Sequence, residues 1–376
     1  MKKAICAGHV CIDLTPMFPG RSIPADISSV LVPGKLVQMH GMDIHTGGAV
    51  ANTGLAMKRL GVDVQLQGKI GSDAMGQLVR AAFEAENAAE GLLISENSST
   101  SYSVVLAPPG IDRIFLHDPG ANDTFCCDDM NWDAFRSASL MHFGYPPLMR
   151  LLFQDNGVEL ERIFRHAKEM GVATSLDMAA SDPASEGGMA DWQAILSRVL
   201  PYVDFFVPSA EELAFMLDKT MYHRWLTEAR GGDATDCIRL ADMQKLSEAA
   251  LSMGARVVLI KCGARGIYYR SADEATLTPL CTALDLNPAQ WACKEGFECS
   301  FVPEKVLSGT GAGDTCIAAF LTAVLRGDGF HKAVTLAAAE GACCVAAYDA
   351  LSGIKSLPEL ETMIAKGWKK NACELE

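Results

Sequence analysis

The chain has 376 residues, of which 49% are hydrophobic and 21% charged, enough to bury a large core in one large domain or two smaller ones. Its formal net charge is -14, and an acidic surface repels nucleic acids and anionic membranes, so we expect neither as a partner. The 13 cysteines are scattered, which favours reduced thiols and a cytoplasmic location over a disulfide framework.

The N-terminal residues 1–14, MKKAICAGHVCIDL, form a basic and then apolar run. Asp13 interrupts this run and no small-residue cleavage site follows it, so a signal peptide is not indicated. We interpret the run as the first strand of a sheet. No segment of the chain approaches the roughly 20 consecutive apolar residues that a membrane-spanning helix needs.

Strand patterns and helical patterns alternate along most of the chain. The segment VQLQGKIG at 64–71 alternates between two faces, and Asp73 after it can cap a helix. The near-continuous apolar runs VATSLDMA, VDFFVP and VVLIKCG are typical of parallel strands that are covered on both faces. This alternation predicts an α/β domain with right-handed crossovers.

Two segments do not follow this alternation. Residues 14–46 contain four prolines and little helical pattern, and residues 98–121 have the pattern of a β-hairpin around a Pro-Pro-Gly turn. We expect the two segments to form one small β-sheet apart from the main sheet. Exposed sheet edges are commonly covered by a partner, so a homodimer joined through this small sheet is also expected. Residues 285–300 have the composition of an insertion.

A glycine-rich turn, SGTGAGD at 308–314, precedes a helical pattern whose apolar residues share one face: Ile317, Phe320, Leu321, Val324 and Leu325. The free N–H groups of a helix N-terminus bind anions, above all phosphate. The carboxylate of Asp314 has two interpretations, a helix cap and a functional acid. A dinucleotide-binding turn is not favoured, because it should follow the first strand.

Another motif, HTGGAVANTGLAMKRLGVDVQLQGKIGSDAMG, spans residues 45–76. It is the first motif in chain order, and the glycine-rich turn at 308–314 is the second. Gly47 and Gly48 permit close approach of the backbone, and Asn52 offers donors and an acceptor to hydroxyl groups. Taken alone, Asn52 is equally well explained as a local helix cap.

Together and in this order, the two motifs resemble the two signatures of the PfkB, or ribokinase-like, carbohydrate kinase family. Other segments fall in the family's order: VCID at 10–13, GAND at 120–123, SLDMA around Asp177, VPSAEEL and VVLIKCGARGIYY. The resemblance implies a three-layer α/β/α core with a mostly parallel central sheet and a small β-sheet lid. It also implies a single kinase domain over residues 1–376, with the lid segments 14–46 and 98–121 inserted in the core.

The resemblance implies an ATP-dependent phosphotransferase that acts on a hydroxyl, expected to be a primary one, of a monosaccharide or sugar derivative. Asp314 would be the general base, and the backbone of Gly311, Ala312 and Gly313 would hold the transferring phosphoryl group as an anion hole. The positions that match substrate-binding residues are Asp13, Gly47, Gly48, Asn52 and Arg113. The positions that would border the nucleotide are Lys261, Gly263, Gly266 and Thr310.

Some of these positions have a second explanation. Gly263 and Gly266 can be turn residues, and Arg113 can be a solvated surface residue. His45 and His117 flank the predicted lid, where either can face the sugar or serve a structural role.

Magnesium is expected beside ATP, because the charge of the phosphates needs to be neutralised. Glu212 is expected in its outer shell, although Ser209 stands where the family often has Asn. Ser308 stands where the family often has an Asp of a monovalent-cation site, so activation by potassium is not expected.

Two other functions stay open at this point. One is a kinase of nucleosides such as adenosine. The other is a non-catalytic sensor of sugars or nucleotides on the same fold. An acid in the glycine turn argues against the sensor, because a sensor does not need a base.

Overall fold

The structure, a computed structural model, describes residues 2–19, 27–108 and 113–372. Residues 20–26 and 109–112 of the predicted lid segments lie outside the described residues. The strands are β1 (Lys3–Gly8), β2 (Cys11–Pro16), β3 (Met42–Gly47), β4 (Val64–Gly71), β5 (Leu92–Ser95), β6 (Tyr102–Leu106), β7 (Ile114–Asp118), β8 (Ala138–Gly144), β9 (Ala173–Asp177), β10 (Phe205–Phe206), β11 (Val257–Lys261), β12 (Gly266–Ser271) and β13 (Glu295–Cys299).

The helices surround these strands. They are α1 (Leu55–Arg59), α2 (Ala74–Ala85), α3 (Arg150–Phe153), α4 (Val158–Glu169), α5 (Glu186–Met189), α6 (Trp192–Val199), α7 (Ala210–Leu217), α8 (Lys219–Ala229), α9 (Leu240–Ser252), α10 (Glu274–Leu284), α11 (Pro288–Trp291), α12 (Ala312–Arg326), α13 (Phe330–Cys344) and α14 (Leu357–Ala365). As the sequence predicted, Asp73 caps α2, and its side chain accepts a hydrogen bond from the backbone N–H of Gly76.

A nine-stranded sheet forms the centre of the molecule, in the order β13-β12-β11-β10-β9-β8-β1-β4-β5. Neighbouring strands from β5 to β11 pair in parallel, and β12 and β13 are antiparallel strands at one edge. The carboxyl ends of the parallel strands therefore lie along one side of the sheet, where open α/β folds bind their ligands.

Hydrophobic clusters cover both faces of this sheet. Successive residues of one strand belong to different clusters, as Phe205 and Phe206 do on β10 and Val257 and Val258 on β11. Such burial on both faces is the physical reason for the continuous apolar runs in the sequence. The predicted α/β class and its mostly parallel central sheet are confirmed.

Helix α12 departs from its predicted one-sided pattern. Every residue from Asp314 to Leu325 is buried, because α13 packs along the side of α12 that the sequence suggested was polar or small. Small residues such as Ala318 and Ala319 allow this close packing. The helix that the sequence predicted after the glycine turn is confirmed, whereas its burial is not confined to the one predicted apolar face.

A separate four-stranded sheet has the order β3-β2-β6-β7. The middle pair, β2 and β6, is parallel, and the two outer pairs are antiparallel. Strands from both predicted lid segments thus lie in one small sheet. Its first strand starts at Cys11, before the first predicted segment begins at residue 14.

The N-terminal apolar run is two strands rather than one. Strand β1 belongs to the central sheet, and after Gly8, His9 and Val10 the chain enters β2 of the small sheet. Asn122 fixes this junction, because its side chain donates a hydrogen bond to the carbonyl of Val10 and accepts one from the N–H of Val10.

Residues 285–300 are part of the central sheet, since they supply α11 and the edge strand β13. That the segment is an insertion stays a prediction. Eleven of the described cysteines are free, as expected for reduced thiols, whereas Cys299 is disulfide-bonded and departs from that expectation. No helix in the described ranges is long and apolar enough to cross a membrane.

Candidate active site

The glycine turn leads directly into the N-terminus of α12. Gly311 is the residue before the helix, with a left-handed φ of 75°, and a Cβ atom on it would lie 2.1 Å from the Cβ of Ala350. Among the described residues, no side chain caps this helix. The N–H groups of its first turn can therefore bind an anion.

Asp314 lies in this first turn and is buried. Its carboxylate accepts hydrogen bonds from Asn52 Nδ2 at 3.2 Å and from Thr53 Oγ1 at 3.0 Å. The hydroxyl of Tyr145 lies 2.7 and 2.8 Å from the two carboxylate oxygens. Side chains from two distant parts of the chain therefore orient the predicted base. Asn52 and Thr53 belong to the motif at 45–76, and Tyr145 lies outside both motifs.

The surroundings of Asp314 act on its pKa in opposite directions. Burial raises the pKa of Asp314 above its ordinary value. The hydrogen bond from Tyr145, the charge of Lys261 and the hydrogen bonds from Asn52 and Thr53 oppose this rise. These donors favour the ionised form, which is the form that a general base needs.

Tyr145 was not predicted from the sequence. It follows the last residue of β8 and has a left-handed backbone, with φ 68° and ψ 40°. Its phenol ring lies 6.1 Å from the ring of buried His9, measured between centroids. The available signal was the apolar run of β8 ending before Pro146 and Pro147, which marks the carboxyl end of a parallel strand.

Lys261 and Asp177 form a buried ion pair at the carboxyl ends of β11 and β9. Lys261 Nζ lies 2.6 Å from Asp177 Oδ1. Burial lowers the pKa of Lys261, but the charges of Asp177 and Glu212 outweigh it and raise the pKa, so the amine is charged. A Cβ atom on Gly313 would lie 3.6 Å from Lys261 Nζ, so the amine borders the glycine turn. A contact of Lys261 with the nucleotide stays a prediction.

The Gly-Gly pair of the first motif is packed against two other site residues. A Cβ atom on Gly47 would lie 2.5 Å from Asp13 Oδ2, and one on Gly48, whose φ is 84°, would lie 2.5 Å from the carbonyl oxygen of His9. After this pair, Val50–Gly54 forms a π-helical turn that carries Asn52. Such irregular turns are frequent at functional sites.

One face of the small sheet presents a polar row to the site. Asp13 on β2 pairs with His45 on β3 and Ser103 on β6, and Ser103 pairs with His117 on β7. Burial raises the pKa of Asp13, while hydrogen bonds from Cys11 and Ser103 and the charge of His45 oppose the rise. The register of the strands therefore places three polar side chains beside the predicted sugar-binding acid.

The row continues into the core through two histidines. His117 Nδ1 lies 3.0 Å from Ser103 Oγ, and His117 Nε2 lies 3.3 Å from His9 Nε2. Burial lowers the pKa of both imidazoles, so both are neutral near pH 7, and the Nε2 of one ring donates a hydrogen bond to the Nε2 of the other. His45 is instead half-exposed and lies 2.9 Å from Asp43.

Arg113 joins the small sheet to the glycine turn. It precedes β7, and its guanidinium donates a hydrogen bond to Thr310 Oγ1. The N–H of Thr310 binds Ser308 Oγ at 3.1 Å. Arg113 and Thr310 are thus in direct contact, although Arg113 was predicted to bind the substrate and Thr310 to border the nucleotide.

Gly263 and Gly266 lie in the turn between β11 and β12. Both have positive φ, 55° and 133°, and a Cβ atom on Gly266 would lie 2.1 Å from the carbonyl oxygen of Glu298. The turn itself thus requires glycine at these positions. A contact with nucleotide stays a prediction for both.

Glu212 and Ser209 form a reciprocal cap at the start of α7. Ser209 Oγ accepts a hydrogen bond from the N–H of Glu212, and Glu212 Oε2 accepts one from the N–H of Ser209. Within the described ranges, no group of three or more His, Cys, Asp or Glu residues could hold a metal ion. An outer-shell role for Glu212 therefore stays a prediction.

Comparison with known proteins gives a family match over most of the chain. Residues 1–356 match the pfkB family carbohydrate kinase model. An uncharacterized sugar kinase of Archaeoglobus fulgidus is 24% identical over 301 residues, which cover 80% of this chain and 98% of the relative. Fructokinase-2 of Oryza sativa is 24% identical over 372 residues, which cover 96% of this chain and 93% of the relative.

Solved structures share the fold at lower identity. The ribokinase of Arabidopsis thaliana complexed with ribose and ATP has a TM-score of 0.69 and 17% identity, covering 97% of this chain and 99% of that one. The ribokinase of Thermotoga maritima has a TM-score of 0.66 and 18% identity, covering 97% and 100%. The ribokinase fold that the sequence motifs implied is confirmed.

Proposed function

Because the chain belongs to the pfkB family of carbohydrate kinases, we propose that it uses ATP to phosphorylate a hydroxyl of a monosaccharide or sugar derivative. One observation carries this proposal. Asn52 of the first motif donates to Asp314 of the second, across 262 residues of sequence. The two motifs therefore converge on one carboxylate at the uncapped end of α12.

The residues of the site have different roles in phosphoryl transfer. Asp314 takes the proton of the acceptor hydroxyl, and Asn52 and Thr53 keep its carboxylate in a fixed orientation. The backbone N–H groups of Gly311, Ala312 and Gly313 stabilise negative charge at the helix N-terminus, next to the charged amine of Lys261. ATP, when bound, supplies the γ-phosphoryl group.

The site fits the charge of a nucleotide phosphate. The first turn of α12 has no side-chain cap among the described residues, and Lys261 borders it. Mg²⁺ is typically held by phosphate oxygens and one or two carboxylates rather than by a protein cage. Glu212 is the carboxylate proposed for its outer shell, since its charge acts on both Lys261 and Asp177.

The charges of the site favour an uncharged acceptor. Asp13 and Asp314 act on each other electrostatically, and the nearby cation Lys261 is paired with Asp177. An anionic sugar acid or sugar phosphate would meet two carboxylates, which disfavour it by like-charge repulsion. A primary hydroxyl is proposed because it can reach a buried carboxylate with the least crowding. Asp13, Gly47, Gly48 and Asn52 would surround the other hydroxyls.

The small sheet is proposed as the lid of a single kinase domain over residues 1–376, with Arg113 as its contact to the glycine turn. One face of the sheet carries the polar row with Asp13. The other carries apolar side chains, and three of them, Met42, Ile44 and Leu116, are about half-exposed. A homodimer through this apolar face is the proposed way of covering it.

The proposal is tested by measuring ATP-dependent product formation against four acceptor panels. The panels are neutral monosaccharides, sugar acids, sugar phosphates and nucleosides, with binding measured by calorimetry in parallel. Turnover of a neutral sugar that is lost in Asp314→Asn is the expected result. Preferential turnover of a nucleoside would support the nucleoside kinase, and sugar binding without turnover would support the sensor.

A further inference from the structure

Tyr145 has an unusual backbone conformation for its residue type. Its φ of 68° and ψ of 40° are left-handed, a region that bulky non-glycine residues rarely adopt. The next residue is Pro146, which restricts the conformation of the residue before it to extended forms. The surrounding structure therefore holds Tyr145 in place against a local cost, and such positions concentrate at functional sites.

The strained backbone directs the phenol hydroxyl at one target. Tyr145 OH lies 2.7 Å from Asp314 Oδ1 and 2.8 Å from Asp314 Oδ2. A phenol has one proton, so it donates to one of these oxygens at a time and can move between them without moving its ring. Thr53 donates to Oδ1 and Asn52 donates to Oδ2, so Tyr145 is the one donor among the three that both oxygens share.

This arrangement differs from that of an ordinary buried tyrosine. Tyr268 is also buried, and its hydroxyl lies 2.9 Å from a carboxylate oxygen of Glu295. It lies within the regular strand β12 and is not among the residues with positive φ. A partner for a buried hydroxyl is thus obtainable without backbone strain, so a need for burial does not explain Tyr145.

We propose that Tyr145 is a positioning residue for the general base: its hydroxyl holds the Asp314 carboxylate ionised and oriented, and leaves one oxygen to the acceptor hydroxyl when substrate binds. This inference rests on the proposed function, in which Asp314 is the base. An acceptor hydroxyl that approaches Oδ1 leaves the tyrosine proton on Oδ2, or the reverse. The base therefore keeps a donor throughout and needs no rearrangement of the ring.

Other charged and titratable groups face Asp314 from every element packed around it. They are Lys261 at the end of β11, Asp177 at the end of β9, Asp13 on β2, Cys6 on β1, Cys316 on α12 and Cys344 on α13. Substitution of Tyr145 by Phe changes none of these residues. A change in the titration of Asp314 in that variant is therefore attributable to the lost hydroxyl.

The hydrogen bond that Tyr145 donates determines the direction in which the pKa of Asp314 should change in Tyr145→Phe. A hydrogen bond to the ionised carboxylate lowers the pKa of Asp314. Removal of the hydroxyl in Tyr145→Phe should therefore raise this pKa, by about one to two pH units for a bond to a charged group. Since the ionised form is active, the acidic limb of the pH profile of kcat/KM should move to higher pH by the same amount.

The test uses the full chain labelled with ¹³C at the aspartate side-chain carboxyl. The NMR signal of Asp314 is assigned by its loss in Asp314→Asn and is titrated in the parent, in Tyr145→Phe and in the control Tyr268→Phe. A raised titration midpoint in Tyr145→Phe alone supports the proposal. An unchanged midpoint, or an equal rise in Tyr268→Phe, overturns it.

This measurement needs no substrate, so its result does not depend on whether the proposed function is correct. Full turnover in Asp314→Asn would remove the base assignment whatever the titration shows. Loss of turnover in Asp314→Asn, together with an unmoved acidic limb in Tyr145→Phe, would remove only the role of Tyr145. If Tyr145→Phe does not fold, Tyr145→Gly, which accepts the left-handed backbone, is measured in the same way.

Discussion

The catalytic turn and the small sheet each present an acid to the site, and they hold it in different ways. Asp314 is buried at the start of α12, and Tyr145, Asn52 and Thr53 reach it from distant parts of the chain. Asp13 lies on β2, where its donors are Cys11 on the same strand and Ser103 on the adjacent strand β6. Core packing fixes the first acid, and strand register fixes the second.

Because of this difference, we expect the two regions to have different functions. A base needs fixed geometry, and the core around Asp314 is packed on both sides of the central sheet. Recognition of a sugar needs a polar surface, and a thin sheet can change its row of polar residues without disturbing the core. Perturbations of the core should therefore affect stability and chemistry, and perturbations of the small sheet should affect acceptor binding.

The largest effect is expected from breaking the buried ion pair. Lys261→Met leaves Asp177 buried without its partner, which typically costs about 3–5 kcal/mol in the free energy of unfolding. Lys245→Met is the control, because it breaks an exposed pair with Asp218 and should cost no more than about 1 kcal/mol. Denaturant unfolding measures both. Equal losses in the two variants would show that the buried pair contributes no more to stability than the exposed pair.

Gly48→Ala should have the next largest effect. The left-handed φ of 84° costs an alanine about 1–2 kcal/mol, and its Cβ would also collide with the carbonyl of His9. Gly61→Ala is the control, since Gly61 has a φ of 93° but no atom within 4 Å of the added Cβ. Thermal unfolding of both variants should show the greater loss in Gly48→Ala. Similar losses would mean that the close packing against His9 does not matter.

Acceptor recognition should respond to Asn52→Ala and Asp13→Ala. Each variant should lose about 1–3 kcal/mol of acceptor binding, through an unpaired or missing polar group. ATP binding should stay near that of the parent. Asn97→Ala, at an exposed position, serves as the control. Calorimetric titration with the best acceptor measures the effect, and unchanged affinity in both folded variants would leave these residues with structural roles alone.

The smallest effect is expected where the two regions meet. Arg113→Ala and Thr310→Val each remove one side of the contact between the small sheet and the glycine turn. A double-mutant cycle on kcat/KM should give a coupling of about 0.5–1.5 kcal/mol. Strictly additive effects would mean that the contact does not contribute to catalysis.

The sequence predicted the residues of the site that lie within local motifs. Asp314, Asn52 and the Gly47-Gly48 pair each follow from a short stretch of chain with its own turn and helix signals. Tyr145 and His9 could not be found in that way, because each reaches the site only through the packing order of the central sheet. The end of an apolar run before Pro146 was the local sign that a strand ends there.

The fold was predictable to a similar extent. The continuous apolar runs indicated a parallel sheet, and its burial on both faces is their cause. The division of the N-terminal run after Gly8 was not predictable, since both halves have a strand pattern and only the pairing of the second half with β3 and β6 places it in the small sheet. The burial of α12 on all sides likewise depends on its packing against α13 (Phe330–Cys344), which a pattern within α12 alone does not reveal.

The central claim is that Asp314 is the base, and Asp314→Asn tests it most directly. Asn has nearly the same size and shape as Asp, and Asp314 does not cap α12, so the variant should keep its fold and its ATP binding. It cannot accept the proton, and a positioned base is typically worth about 10² to 10⁴ in rate. We expect turnover of the best acceptor to fall by that factor. Turnover within a few-fold of the parent would contradict the account.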